Sequence, residues 1–221
     1  MFYLEMISHF VGEGDIVLHA PELDSVQAGS NVINPRLYQA VESYYNCFDY
    51  VDISRYANVF SSLKEFNEVR REAAERHYLD FSGMIYDHGD RVNSDTLNKP
   101  TYHAGSTLNY RKNAYSQTNL NHLNEVYALI RAAGAEMYFT PAPCNRNALS
   151  ENAKKESVQR EYMDWLRGAI SVPVIGDLWD YILDGEYMYN SDWHPNTIGR
   201  DIRTRKLYEQ LMTYRKEAGL S

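Results

Sequence analysis

The sequence is poor in cysteine, in basic charge and in long apolar runs. Its two cysteines, Cys47 and Cys144, lie far apart among 221 residues and match no metal-ligand spacing. Spacing alone therefore supports neither a disulfide framework nor a zinc site. Lysine and arginine number 22 against 30 aspartates and glutamates, which gives a net charge of -8. Because a phosphate backbone attracts basic surfaces, we expect no nucleic-acid partner.

The apolar stretches are only a few residues long, and no basic segment precedes an apolar one near the N-terminus. A bilayer-spanning helix needs about 20 predominantly apolar residues, so we expect neither a membrane span nor a signal peptide. The sequence as written fits the cytoplasm but leaves the compartment open. With 44% hydrophobic residues the chain can bury a substantial core, and we expect a single domain over residues 1–221.

Three short apolar segments predict the strands of a sheet. Residues 16–20, 136–140 and 172–176 each run into a proline or a glycine, and each follows a segment with apolar residues at helical spacing. Helices are predicted over 2–11, from 117 to a C-cap at Gly134, from an N-cap at Ser150 to Gly168, and over 197–216. This alternation predicts a parallel sheet with helices on both faces, and a first strand buried on both faces.

Two more helices are predicted over 36–45 and 59–76, and an irregular, tyrosine-rich segment over 78–116 is typical of a functional or covering loop. Sheets of this architecture usually have about five or six strands. Since only three strands are indicated, we expect a doubly wound α/β domain that lacks its leading strands.

The residues before the last helix carry the main candidate site. Ligands of open parallel α/β sheets bind beyond the carboxyl ends of the strands, and His194 lies in a polar loop that ends in proline just before that helix. A histidine held in this way can act as a general base. Asp192 can accept its Nδ1 proton, which fixes the tautomer and stabilises the imidazolium. The alternative is that His194 caps its own helix.

The segment Tyr189–Gly199 (YNSDWHPNTIG), followed by Arg203 and Thr204, resembles the last conserved block of SGNH (GDSL-type) hydrolases. In that family an aspartate and a histidine before the C-terminal helix complete a triad with a serine near the N-terminus. Residues 14–22 look like a middle strand of the same fold. The resemblance implies a three-layer α/β/α fold with a flavodoxin-like parallel sheet, no metal or organic cofactor, and ester hydrolysis or acyl transfer on lipid or carbohydrate esters.

The chain departs from the family pattern in three places. One residue rather than two separates Asp192 from His194, and Ser191 stands where the family has its aspartate. After the first predicted strand, Ala-Pro-Glu-Leu replaces the family's Gly-x-Asn-Asp block. No Gly-Asp-Ser follows a first strand; Ser25 is an outside candidate for the nucleophile, and the preferred interpretation places the nucleophile upstream of Met1.

The leading hypothesis is an SGNH-type esterase that acts on a small-molecule or carbohydrate ester. His194 would be the general base, Asp192 would orient it, and a serine that is not identifiable in this chain would form the acyl-enzyme. The alternatives are a truncated, catalytically inactive protein of the same fold that serves as a binding or interaction module, and a polysaccharide O-acyltransferase.

The predicted absence of leading strands has a consequence for assembly. It would leave the strand over 16–20 as an exposed edge, with costly unpaired backbone groups and apolar surface. We therefore expect a homo-oligomer formed through this edge, or a missing segment supplied by another chain.

Three residues near the predicted strand ends each have two interpretations. Glu22 is a catalytic carboxylate or, as we prefer, a hydrogen-bonding residue of a loop. His19 lies in an apolar run, where a core histidine is commoner than a catalyst. Cys144 is a nucleophile beside His194 or, in the preferred interpretation, a small buried hydrophobic residue, since nothing nearby in the sequence would lower the pKa of its thiol.

Two further features are interpreted as structural. We expect Trp193 to pack against the protein, with sugar stacking as the alternative. Asp87, His88 and Asp90 suggest metal ligands, but no further ligand is spaced to complete the shell, and a polar turn around Gly89 is preferred.

Overall fold

A computed structural model describes residues 2–22, 104–105, 107–112 and 116–220, together with single positions at 49, 60, 63, 64, 67, 68 and 71. The described positions from 60 to 71 are helical, in agreement with the helix predicted over 59–76. The helix predicted over 36–45 and most of the segment 78–116 lie outside the described residues. So do Ser25, Cys47, Asp87, His88 and Asp90.

The described part of the chain is a mixed α/β structure with small parallel sheets and several helices. Its helices are α1 (Phe2–Ile7), α2 (Gln117–Ala132), α3 (Glu156–Ala169), α4 (Leu178–Tyr181) and α5 (Thr197–Glu217). Its strands are β1 (Ile16–His19), β2 (Glu136–Phe139), β3 (Cys144–Asn145) and β4 (Ile182–Leu183). Short 3-10 turns follow β3 and β4, at Arg146–Ala148 and Gly185–Tyr187.

The three predicted strand segments lie side by side. β1 and β2 are parallel, with Ile16 opposite Glu136 and His19 opposite Phe139. On the other edge of β2, Phe139 donates its N–H to Pro173 O at 3.0 Å and accepts from Ile175 N at 2.8 Å. This third segment forms a bridge at Val174 rather than a strand of five residues, and Pro173 contributes to that difference because it has no N–H to donate. β3 and β4 form a second parallel pair.

Helix boundaries agree with the sequence where a local cap determines them. Ser116 accepts the N–H of Asn119 at the start of α2, and Gly134, with a φ of 97°, follows its end. The predicted start of α3 at Ser150 is wrong. Ser150 Oγ accepts from Ala153 N within a separate turn, and the helix begins at Glu156.

Side chains on opposite faces of β2 belong to different apolar clusters. Met137 and Phe139 lie in the main cluster with residues of α2 and α3, whereas Tyr138 packs with residues of α4 and α5. The main cluster includes Leu123, Tyr127, Ile130, Tyr162 and Leu166, and the smaller one includes Ile175, Tyr181, Leu207 and Leu211. Strand β2 is therefore covered from both sides, as its alternating side chains require.

The prediction that the first strand is buried on both faces is wrong. Val17 packs against the main cluster, but Ile16 and Leu18 are 43% and 39% exposed. Successive side chains of a strand point to opposite faces. Ile16 and Leu18 thus point away from the main cluster, and the described residues around Tyr138 do not extend over β1.

Candidate active site

The loop that carries His194 is fixed at both ends. Met188 and Pro195 form an antiparallel bridge, and Tyr189 N donates to His194 O at 2.8 Å. The side chain of Asn196, fully buried, accepts from Gly199 N at 3.0 Å and donates to Glu186 O at 2.7 Å. Asn196 therefore caps α5, which removes the alternative in which His194 is the cap.

The same loop is attached to the end of the sheet region. Asn145 N, in β3, donates to Asp192 O at 2.8 Å, so the main chain of Asp192 lies beside the segment that follows β2. The Trp193 side chain packs against the main apolar cluster, as the packing interpretation expected. The neighbouring His194 side chain remains 46% exposed, and the loop thus presents an accessible imidazole from a fixed backbone.

The imidazole of His194 has a different polar neighbour at each nitrogen. Its Nδ1 lies 3.0 Å from Oδ1 of Asn190, and its Nε2 lies 3.7 Å from Oε1 of Glu22. Since Glu22 follows β1, the structure brings a residue beyond the carboxyl end of β1 next to the loop before α5. The Glu22 side chain is 47% exposed, so solvent screens the attraction between this carboxylate and a protonated ring.

The Ser191 hydroxyl and the main chain of Asp192 hold the backbone of the loop. Asn190 occupies the Nδ1 position that the sequence assigned to Asp192. The hydroxyl of Ser191 accepts the backbone N–H groups of Trp193 and His194, at 3.2 and 3.0 Å. Ser191 therefore shapes the turn. The role of Asn190 was missed, although it lies in the same polar loop, four residues before His194.

His19 and Cys144 have the structural roles that the sequence favoured. His19 Nδ1 is 2.7 Å from the hydroxyl of Tyr127, and its ring packs edge-on against Phe139. Burial lowers the pKa of His19 from 6.5 to about 4. Cys144 is 2% exposed, and its Sγ lies 3.6 Å from Asn145 O. A thiol buried in this way is a packing residue.

The burial of His19 predicts a loss of stability in acid. The folded protein holds this imidazole neutral down to a pKa of about 4, whereas the unfolded chain binds the proton near pH 6.5. The contribution of His19 to the free energy of unfolding is therefore highest above pH 6.5. It falls by about 2–3 kcal/mol as the pH drops from 6.5 towards 4. Urea unfolding at pH 7 and pH 4 measures this loss. His19→Gln should reduce it and His9→Gln, at an exposed position, should not; an equal acid loss in all three proteins would contradict the prediction.

The described residues contain neither a metal-binding cluster nor a membrane-spanning helix. No group of three or more histidine, cysteine, aspartate or glutamate side chains is arranged there to hold a metal ion. No helix in the described part of the chain is long and apolar enough to cross a membrane.

Comparison of the chain with protein-family models, with curated proteins and with solved structures found no match. The functional assignment therefore depends on the residues of this chain and their geometry.

Proposed function

We propose that this protein is an SGNH-type ester hydrolase in which His194 is the general base. The observation that supports this proposal best is the orientation of the imidazole: Nδ1 is held by Asn190 at 3.0 Å, while Nε2 is directed to the accessible side occupied by Glu22. A base needs this combination of a fixed ring and an accessible nitrogen.

The proposed reaction starts with proton transfer from an alcohol. His194 Nε2 takes the O–H proton of a serine, and the electron pair of that bond remains on the oxygen, which attacks the acyl carbon of the ester. The imidazolium then gives the proton to the departing alcohol, and water hydrolyses the acyl-enzyme by the same route. Glu22 supplies the carboxylate beside Nε2, the main chain of Asp192 supports the loop, and the substrate is a small-molecule or carbohydrate ester.

The fold proposed with this function is a three-layer, flavodoxin-like domain. The two apolar clusters on opposite faces of β2 support it, and so does the parallel arrangement of β1, β2 and the bridge at Val174. The strand beyond β1 would then be supplied by another chain.

The test combines turnover with active-site labelling of the full-length polypeptide. We expect it to release acetate from an O-acetylated oligosaccharide and to attach a fluorophosphonate probe to one serine, which peptide mass spectrometry identifies. A label on Ser25 would place the nucleophile within this sequence. Acetyl transfer to an added sugar, without hydrolysis, would indicate the acyltransferase. The absence of both turnover and labelling would contradict the proposal and favour the alternative, a catalytically inactive binding module.

We also propose that the protein self-associates through β1. Among the described strands β1 is paired on one edge only, by β2. The 43% and 39% exposed side chains of Ile16 and Leu18 leave apolar surface on the same strand, which a second chain would cover. Light scattering should show an oligomer for the natural sequence and a smaller species for Leu18→Glu. Met212→Glu, which changes an exposed residue of α5 (45% exposed), is the control. A monomeric natural protein would contradict the proposal.

A further inference from the structure

The hydrogen bond between His194 and Asn190 determines where the neutral imidazole carries its proton. A side-chain amide oxygen can only accept hydrogen bonds, and the atom 3.0 Å from Nδ1 is Oδ1 of Asn190. With the amide in this orientation, Nδ1–H is the donor and Oδ1 is the acceptor. The lone pair of the neutral ring is then on Nε2, the nitrogen directed towards Glu22.

The turn between the two residues maintains this geometry. Tyr189 N donates to His194 O, which pairs the two sides of the loop, and Ser191 Oγ holds the N–H of His194 at 3.0 Å. These contacts restrict the backbone on both sides of the Asn190–His194 hydrogen bond. The amide therefore lies against Nδ1 in a constrained segment, which limits the orientations available to the ring.

Glu22 completes the arrangement on the opposite side of the ring. Its Oε1 is 3.7 Å from Nε2, which is too long for a direct hydrogen bond. When the ring is neutral, both atoms are acceptors and no hydrogen bond joins them directly. When Nε2 has taken a proton, the imidazolium lies opposite a carboxylate.

We propose that Asn190 is the residue that positions His194 and fixes its Nδ1–H tautomer, and that Glu22 supplies the negative charge opposite the imidazolium. Together they perform the two tasks that the sequence assigned to Asp192. The catalytic meaning of this proposal rests on the proposed function, but the tautomer does not. The Asn190 amide orients the ring without adding charge. The charge comes from Glu22, on the Nε2 side of the ring.

The decisive experiment is nuclear magnetic resonance of the histidine side chains in the full-length, 15N-labelled protein at pH 8. Long-range proton–nitrogen spectra distinguish protonated from unprotonated ring nitrogens, and the signals that His194→Gln removes belong to His194. We expect the proton on Nδ1 in the natural protein. Asn190→Ala should lose this preference. Asn190→Asp should keep it, because a carboxylate also accepts from Nδ1–H. Asp201→Asn, an exposed position on α5, is the matched control and should leave the spectrum unchanged.

Two results would overturn the inference: a proton on Nε2 in the natural protein, or a tautomer that changes in Asp192→Asn and not in Asn190→Ala. The spectra need no substrate. An inactive protein with the Nδ1–H tautomer would therefore contradict only the proposed function, and an active protein with the Nε2–H tautomer would contradict only this inference.

Kinetics test the two roles separately. Asn190→Ala should lower kcat by about 100-fold, because a misoriented base loses much of its contribution, and should leave KM nearly unchanged. Glu22→Gln should lower kcat by about tenfold or less, as expected for an exposed charge pair, and Glu22→Asp should recover part of the loss. Equal losses in Glu22→Gln and Glu22→Asp would contradict the electrostatic role.

Discussion

Replacement of His194 by glutamine should lower kcat for ester hydrolysis by about 10²- to 10⁴-fold, the range expected when a general base is removed. Glutamine keeps a polar side chain of similar reach but cannot take a proton at neutral pH. The His194 side chain is 46% exposed, so its replacement removes little packing. The fold should therefore persist while the chemistry is lost. Initial rates with an acetyl ester, measured beside circular dichroism, separate these two outcomes.

The control for this variant is His9→Gln, which changes an exposed histidine two residues after α1. It should hydrolyse the ester at the natural rate. Added imidazole should restore part of the activity of His194→Gln, because a small base can enter an accessible site. A His194→Gln protein with full activity would remove the proposed general base, and one that is inactive because it is unfolded would show a changed spectrum.

The sequence predicted the elements that depend on local signals. The β1 and β2 segments are short apolar runs beside turn residues, and α2 begins at a serine whose side chain caps it. The start of α3 was misplaced because Ser150 has the same capping chemistry but uses it in a turn six residues earlier. The exposure of Ile16 and Leu18 depends on which elements cover β1, and that is a tertiary property.

The candidate site was predictable at the level of segments and not at the level of atoms. Parallel strands place their carboxyl ends together, and this rule correctly brings the residue after β1 close to the loop before α5. The choice between Asn190 and Asp192 as the partner of Nδ1 depends on the turn. The Ser191 hydroxyl accepts two backbone N–H groups and so shapes that turn. A sequence motif does not specify which way the side chains of the turn point.

Gly199→Ala should lower the free energy of unfolding by more than about 4 kcal/mol, because the added methyl group would overlap backbone atoms that support the site. A Cβ at this position would lie 2.2 Å from Tyr187 O and 3.1 Å from Pro195 Cβ. Neither contact is with the end of a flexible side chain. Tyr187 O also accepts the N–H of Asn196 at 2.9 Å, so relief of the overlap would disturb the cap of α5 and the loop that carries His194. Urea unfolding measures the cost.

The matched control is Gly168→Ala in α3, where a Cβ would have no atom within 4 Å. Both glycines are helical, and alanine is favoured over glycine in a helix by about 0.5–1 kcal/mol. Gly168→Ala should therefore stabilise the protein, while the same change at Gly199 destabilises it. Because intrinsic helix propensity is common to both variants, the difference between them isolates the overlap with Tyr187 O. A Gly199→Ala protein as stable as Gly168→Ala would show that the backbone from Tyr187 to Gly199 can move apart, and the rigid support inferred for His194 would then be wrong.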